Sequence, residues 1–198
     1  MAKLVSAIIL AAGESRRMGK PKQLLPLGKT TILESTIDNF LNSELSEIVV
    51  VVGYRAKQVS SLIDGKPISM VVNKAYRDGM STSIIAGLNS VSDNAQGIMI
   101  ALADQPFVDS ETIDCLVRSF SAYDKGIIIP TYQGRRGNPV ILSAKYKEEL
   151  LSLEGDIGAR EIIHRYPDDV LEVPVSCEGI CVDIDTVDTY NLQRSKLK

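Results

Sequence analysis

Apolar residues in this chain gather into short runs, with helix-period segments between them. Val5 to Leu10, Glu47 to Val52, Ile68 to Val72, Gly97 to Ala103 and Gly126 to Pro130 are almost continuously hydrophobic, the pattern of strands covered on both faces. Ile32, Leu33, Ile37, Phe40 and Leu41 share one helical face behind a capping Thr30 or Thr31. A second helix is expected from Ala56 to Ile63, ended by Gly65, and a third from Ser81 to Val91 with Ile84, Ile85 and Leu88 inward. Asp109 or Ser110 caps a fourth that runs to Phe120. Alternation at this spacing predicts an α/β fold in three layers, a mostly parallel sheet with helices on both faces.

The rhythm changes after Pro130. Gly134 to Pro139 (GRRGNP) is a turn-rich basic loop between two β-like pieces, and Val140 to Leu142 leads into a helix. Gly155 to Gly158 precedes a further helix ending near His164. Leu171 to Val175 and Ile180 to Ile184 read as short strands, with Asp183, Asp185 and Asp188 clustered at the end. With 198 residues and neither a repeat nor a linker, one domain over 1–198 is expected.

A hydrophobic content of 44% and a charged content of 24% describe an ordinary soluble globular chain. The net charge of −3, the absence of Trp and only 3 Phe argue against a general nucleic-acid binder. Met1 to Leu10 superficially resembles a leader, since Lys3 precedes apolar residues, but Ser6 interrupts the run. No stretch reaches the length of a membrane span, so a cytoplasmic protein is expected. Cys115, Cys177 and Cys181 form neither an even set nor a Cys-x-x-Cys pair, and they read as buried or incidental thiols. His164, the one histidine, reads as a helix-surface residue. Any metal should be a hard cation on oxygen ligands.

Chemistry concentrates just past the first strand, in Leu10 to Gln23 (LAAGESRRMGKPKQ). An acidic chain has gathered Arg16, Arg17, Lys20 and Lys22 at the end of a strand, where ligands bind in open α/β sheets. Gly13 lets the backbone approach a ligand, and the cations suit polyphosphate oxygens. Five residues separate Gly13 from Gly19 and Pro21 follows Lys20, so the loop is not a Walker A loop. Ala12 and Glu14 flank Gly13, which excludes a Rossmann G-x-G-x-x-G. The first half of the chain, about 1–106, therefore reads as nucleotide-binding and the second, about 107–198, as acceptor-handling.

Asp104 ends the apolar run Gly97 to Ala103 at the same sheet edge, with Asp109 and Ser110 better placed to cap the next helix. That leaves it free to ligate magnesium. Alternation along a strand would put Asp183 and Asp185 on one face, where both could be buried only around a cation. Asp185 or Thr186 could instead cap the last helix.

Across nearly its whole length the chain resembles molybdenum-cofactor nucleotidyltransferases, and among them the cytidylyltransferase branch. The resemblance rests on LAAGESRRMGKPKQLL, GMSTSIIAGL at 79–88, LADQP at 102–106, GRRGNPVIL at 134–142, GDIGAR at 155–160 and DIDT at 183–186. It implies a Rossmann-like nucleotidyltransferase fold. It also implies that Ala11, Ala12 and Gly13, with Leu10, line the base and ribose, while Ser15, Arg17 and Lys22 hold the triphosphate. Ser81 and Ser83 would approach the nucleotide, and Asp104 and Asp185 would hold Mg²⁺, or Mn²⁺. Arg17, Lys22 and Asp104 would carry catalysis. Arg135, Arg136, Asn138 and Arg160 are the candidates for the acceptor. The second Ala of LAAG is associated with cytidine enzymes.

The implied reaction transfers CMP from CTP to the phosphate of a molybdenum-pterin cofactor, for a molybdenum hydroxylase or its chaperone, without nucleic acid or membrane. One departure is Asn138, where many cytidylyltransferases carry His. Asn still hydrogen-bonds a pterin but carries no proton. The competing readings are a nucleotidyltransferase for another phosphorylated acceptor, a GTP-using homologue, and a non-catalytic cofactor-delivery protein.

Overall fold

A computed structural model describes residues 3–196; Met1 and Ala2, the head of the leader-like stretch, lie outside the described residues. In chain order the elements begin with β1 (Val5–Ala11), after which the basic loop forms two single 3-10 turns. A small hairpin, β2 (Pro26–Leu27) and β3 (Thr30–Thr31), leads to α1 (Ile32–Leu41), β4 (Glu47–Val52), α2 (Ala56–Leu62) and β5 (Ser69–Val72). Then come α3 (Met80–Leu88), β6 (Gly97–Leu102), α4 (Ser110–Ala122), β7 (Ile127–Tyr132), β8 (Arg135–Arg136) and β9 (Val140–Ser143). The chain continues through α5 (Lys147–Leu151), α6 (Arg160–Arg165), β10 (Val170–Pro174) and α7 (Val187–Ser195).

The main sheet runs β10-β7-β9-β6-β1-β4-β5, with β8 beside β7. β1 is central and parallel to both β4 and β6, and β5 extends the parallel run. The antiparallel β9 lies between β6 and β7, and β10 lies parallel to β7. Leu10 pairs with Leu102, so the chain leaves β1 at Ala12 beside the point where it leaves β6 at Asp104. Parallel register has thus set the basic loop and Asp104 at one sheet edge.

Successive residues of β1 serve opposite layers. Val5, Ala7, Ile9 and Ala11 pack with α1, α2 and α4, while Ile8 packs with α3, α5 and α6. That double burial is why β1, β4, β6 and β7 are apolar almost throughout rather than alternating. The edge strand β5, expected to be covered on both faces, instead leaves Met70 and Val72 exposed, because among the described residues no strand or helix lies over its outer side. Gly87 lets α3 sit close, because a Cβ there would lie 2.4 Å from Ile8 Cγ2. At the start of α1 the Thr31 side chain caps the Glu34 amide and the Glu34 carboxylate accepts from Thr31 N at 2.9 Å. Asp109, not Ser110, caps α4, accepting from Thr112 N at 2.8 Å. A smaller cluster of Met18, Leu27, Ile32, Ile184 and Tyr190 packs the basic loop and α7 against the β2–β3 hairpin and the start of α1.

The expected strand over Ile180 to Ile184 does not form. Glu178–Cys181 is a 3-10 turn, and the backbone beyond it bridges loops instead of pairing. Asn138 N donates to Ile180 O and Ile184 N donates to Asp104 O, both at 3.0 Å. Asp183 and Asp185 therefore do not share a strand face. Elsewhere the boundaries shift by a few residues: α3 stops at Leu88 rather than Val91, and Ile68 precedes β5. Among the described residues no helix is long and apolar enough to cross a membrane.

Candidate active site

The basic loop is held by its own side chains. Buried Gln23 donates through Nε2 to Ala11 O and Gly13 O, each at 3.1 Å, which fixes the turn out of β1. Ser15 sits in the left-handed region (φ +54°), and its Oγ accepts from Lys22 N at 3.1 Å. Met18 anchors the outer arm in the small cluster. Arg17 and Lys22 are left to face the end of β6.

There the charged groups converge. Lys22 Nζ donates to Asp185 Oδ1 at 2.6 Å and pairs with Asp104, while Arg17 donates to Asp185 Oδ2 at 2.6 Å. The Ile184–Asp104 backbone bond brings the DIDT segment into reach. Burial raises the Asp104 carboxyl above its ordinary range, against the pull of Lys22. Burial alone would lower Lys22, but Asp104 and Asp185 hold it charged and above its usual value. Asp185 is also opposed by burial, yet Lys22 and Arg17 bring it below the usual carboxylate range.

Two carboxylates meeting on one cation form a hard oxygen donor set, which fits a divalent ion. Among the described residues no group of three metal-binding side chains occurs. The remaining coordination falls to substrate phosphates and water, as is usual for Mg²⁺.

Lys22 and Asp185 face one cavity, which shares Asp156 with a second; Asp104 lines neither. The first, about 520 Å³, is lined by the loop residues Gly13, Ser15, Arg17 and Lys22 and, opposite, by Gly79 and Asp185. The second, about 670 Å³, has apolar walls from Ile100, Leu102, Ile129 and Val140 and polar groups from Asn138 and Arg160. Arg136 lines it too, held at 2.7 Å by Glu172.

Several expected residues lie elsewhere. Arg135 is exposed on β8 and lines neither cavity. Ser81 and Ser83 are buried at 1% and 5% exposure. The Ser81 hydroxyl donates to Gly155 O at 2.7 Å, and Ser83 Oγ accepts from Asn73 Nδ2 at 3.0 Å. They hold the start of α3 rather than facing the cleft. Leu10, Ala11 and Ala12 line neither cavity, and the Ala12 methyl packs beside Gly53 and Tyr76, so it does not reach into the cleft to sort bases.

The structure adds residues that the linear pattern did not mark. Asp156 lines both cavities, and His164 lines the second. Gly79 lies so near Gly155 that a Cβ would meet its carbonyl oxygen at 2.1 Å, which locks the α3 loop to the Gly155 loop. The glycines within GMSTS and GDIGAR were the available signal, but their mutual contact is not encoded locally.

Compared with known proteins, residues 7–170 match the sequence profile of the MobA-like NTP transferase domain. The chain is 31% identical over 196 residues to nicotine blue oxidoreductase of Paenarthrobacter nicotinovorans, covering 93% of each. It is 29% identical to the molybdenum cofactor cytidylyltransferase of Escherichia coli K12, covering 94% of this chain and 93% of the relative. The crystal structure of Rv0371c from Mycobacterium tuberculosis H37Rv superposes with a TM-score of 0.88 at 30% identity, covering 98% and 99% of the two chains. A complex of Rv0371c with manganese superposes at 0.85 with 28% identity, covering 98% and 100%.

Proposed function

We propose, for a chain that belongs to the MobA-like NTP transferase family, a divalent-metal-dependent cytidylyltransferase that acts on a phosphorylated pterin, the molybdenum cofactor. The observation that carries the reading is the convergence of Asp104 and Asp185 on Lys22, at a cationic cleft that shares Asp156 with a second, mainly apolar cavity. The fold is the Rossmann-like α/β arrangement of nucleotidyltransferases.

In the proposed reaction a phosphate oxygen of the acceptor attacks the α-phosphorus of CTP, and the bond to the bridging oxygen of the β-phosphate breaks. Pyrophosphate leaves with that electron pair. A phosphate monoester has a second pKa of about 6, so it needs no base at neutral pH. The protein's task is to hold two polyanions together. Lys22 would exchange its carboxylate partners for phosphate oxygens, and Arg17 would neutralise charge growing on the leaving group. Asp104 and Asp185 would hold Mg²⁺ or Mn²⁺, which screens the phosphates and stabilises the charge that develops on them. Gly13 and Ser15 would place backbone and hydroxyl against the nucleotide.

The apolar walls of the second cavity suit a fused heteroaromatic ring, with Asn138 for its polar edge and Arg160 and Arg136 for its phosphate. CTP is favoured by the resemblance to the Escherichia coli enzyme rather than by Ala12. Each cavity draws on both parts of one domain: Asp156 and Asp185 reach the first from the second half, and Met80, Ile100 and Leu102 reach the second from the first half. The product would pass to a molybdenum hydroxylase or its chaperone in the cytoplasm.

The test is pyrophosphate release with Mg²⁺ or Mn²⁺, each of the four NTPs, and the molybdenum cofactor present or absent. Release only with CTP and cofactor is expected. Release with CTP and a different phosphate acceptor would keep the chemistry and replace the substrate. NTP binding without release would favour a delivery protein. Redox turnover of the kind for which the Paenarthrobacter relative is named, without pyrophosphate, would overturn the proposal.

A further inference from the structure

Glu14 stands inside the basic loop, where a carboxylate should weaken a site for polyphosphate. It does not face the cleft as a free anion. Its Oε2 accepts from Arg16 Nε at 2.8 Å and its Oε1 from Arg77 Nε at 2.9 Å, so one carboxylate joins the loop after β1 to the loop before α3. Those two hydrogen bonds, Arg16 first, hold Glu14 below the usual carboxylate range. In both pairs the contact recorded runs through Nε, on the inner side of the guanidinium. The Arg77 guanidinium also lies over the Tyr76 ring, 5.4 Å from its centroid. All three side chains line the 520 Å³ cleft that holds Arg17 and Lys22.

We propose that Arg16 and Arg77 form a two-guanidinium clamp for the outer phosphates of the nucleotide, with Glu14 as the positioning residue that presets both. The inference rests on the nucleotide-binding reading of the cleft. Arg17 and Lys22 are tied to Asp104 and Asp185 and serve the reacting end of the triphosphate. Arg16 and Arg77 take the far end from either side. A guanidinium already held at Nε loses little freedom when its terminal pair meets a phosphate edge. Because Arg77 precedes Gly79, the clamp also ties the nucleotide to the Gly155 loop at the border of the second cavity.

The experiment measures binding of inorganic tripolyphosphate and of CTP with Mg²⁺, by calorimetry over a range of salt concentrations, to the full chain and to Arg77→Ala, Arg77→Lys and Glu14→Gln. Arg77→Ala should weaken both ligands about ten-fold and flatten the salt dependence, with Arg77→Lys intermediate. Glu14→Gln should weaken them several-fold although it removes a negative charge. In turnover, these variants should raise KM for the nucleotide and leave kcat nearly unchanged. Unaltered tripolyphosphate affinity in Arg77→Ala, or tighter binding in Glu14→Gln, would overturn the clamp. Wild-type protein that binds neither ligand overturns the clamp together with the nucleotide reading. Wild-type protein that binds tripolyphosphate but releases no pyrophosphate overturns the transferase alone, and the variants then still decide the clamp.

Discussion

Lys22 pairs with two carboxylates, Asp104 and Asp185, that meet in a half-buried corner. Its side chain is 16% exposed, and that of Asp104 11%. Removing one member of such a buried pair costs about 3 kcal/mol or more, because the remaining charges stay desolvated. Lys22→Met should therefore unfold at lower temperature, and Mn²⁺ or Mg²⁺ should raise its melting point more than it raises that of the wild type. Thermal melts with and without metal check this; equal shifts would mean that the two acids do not share a cation site. Asp104→Ala tests the same corner through activity. Turnover should fall by about 10²-fold or more, with far-ultraviolet dichroism unchanged. Near-normal turnover would remove Asp104 from the site.

Elements matter here chiefly through what joins them. The loop before α3 meets the Gly155 loop backbone to backbone, at a glycine with φ of +120°. Gly79→Ala adds a methyl that the neighbouring backbone cannot yield to, and the φ is unfavourable for any L side chain. The expected result is a raised KM for both substrates, read from steady-state kinetics; a change in one alone would show that the loops act separately.

A second junction is held by Asp169, which accepts from Tyr146 at 2.5 Å and pairs with Lys145 at 2.7 Å. Burial opposes its ionisation, but those two partners bring its carboxyl below the ordinary value. A depressed carboxyl stabilises the folded state above its unfolded pKa of about 4, and that contribution fades as pH falls through the lower folded value. Urea melts of Asp169→Asn should show a deficit at pH 7 that shrinks at pH 3. A deficit independent of pH would assign the loss to packing.

At the scale of the whole molecule, the two halves are woven through one sheet. β9, from the second half, lies between β6 of the first half and β7. A fragment ending near Asp104 would leave β6 an unpaired edge and expose Ile98 and Ile100. The full chain should unfold in a single transition with coincident fluorescence and dichroism. Two separated transitions would mean that the halves fold as independent units.

What the amino-acid order settled by itself is local. Apolar runs mark the central strands, and Thr30 or Thr31 marks the start of α1, since each depends on neighbours within a few positions. The loop LAAGESRRMGKPKQ could be read as a phosphate cradle for the same reason: its cations, its glycines and the strand before it are contiguous. Assigning Ile180 to Ile184 to a strand failed because an apolar pentapeptide looks the same whether its amides pair in a sheet or bridge loops. That the Ser81 and Ser83 hydroxyls are buried against Gly155 and Asn73 is marked by no spacing. Tertiary structure alone decided the rest. Lys22 and Asp185 stand 163 positions apart, and Glu14 and Arg77 stand 63 apart. Only the parallel register of β1 with β6, and the backbone bond from Ile184 to Asp104, bring such charges to one edge, because long-range contacts follow from how strands order themselves in the sheet.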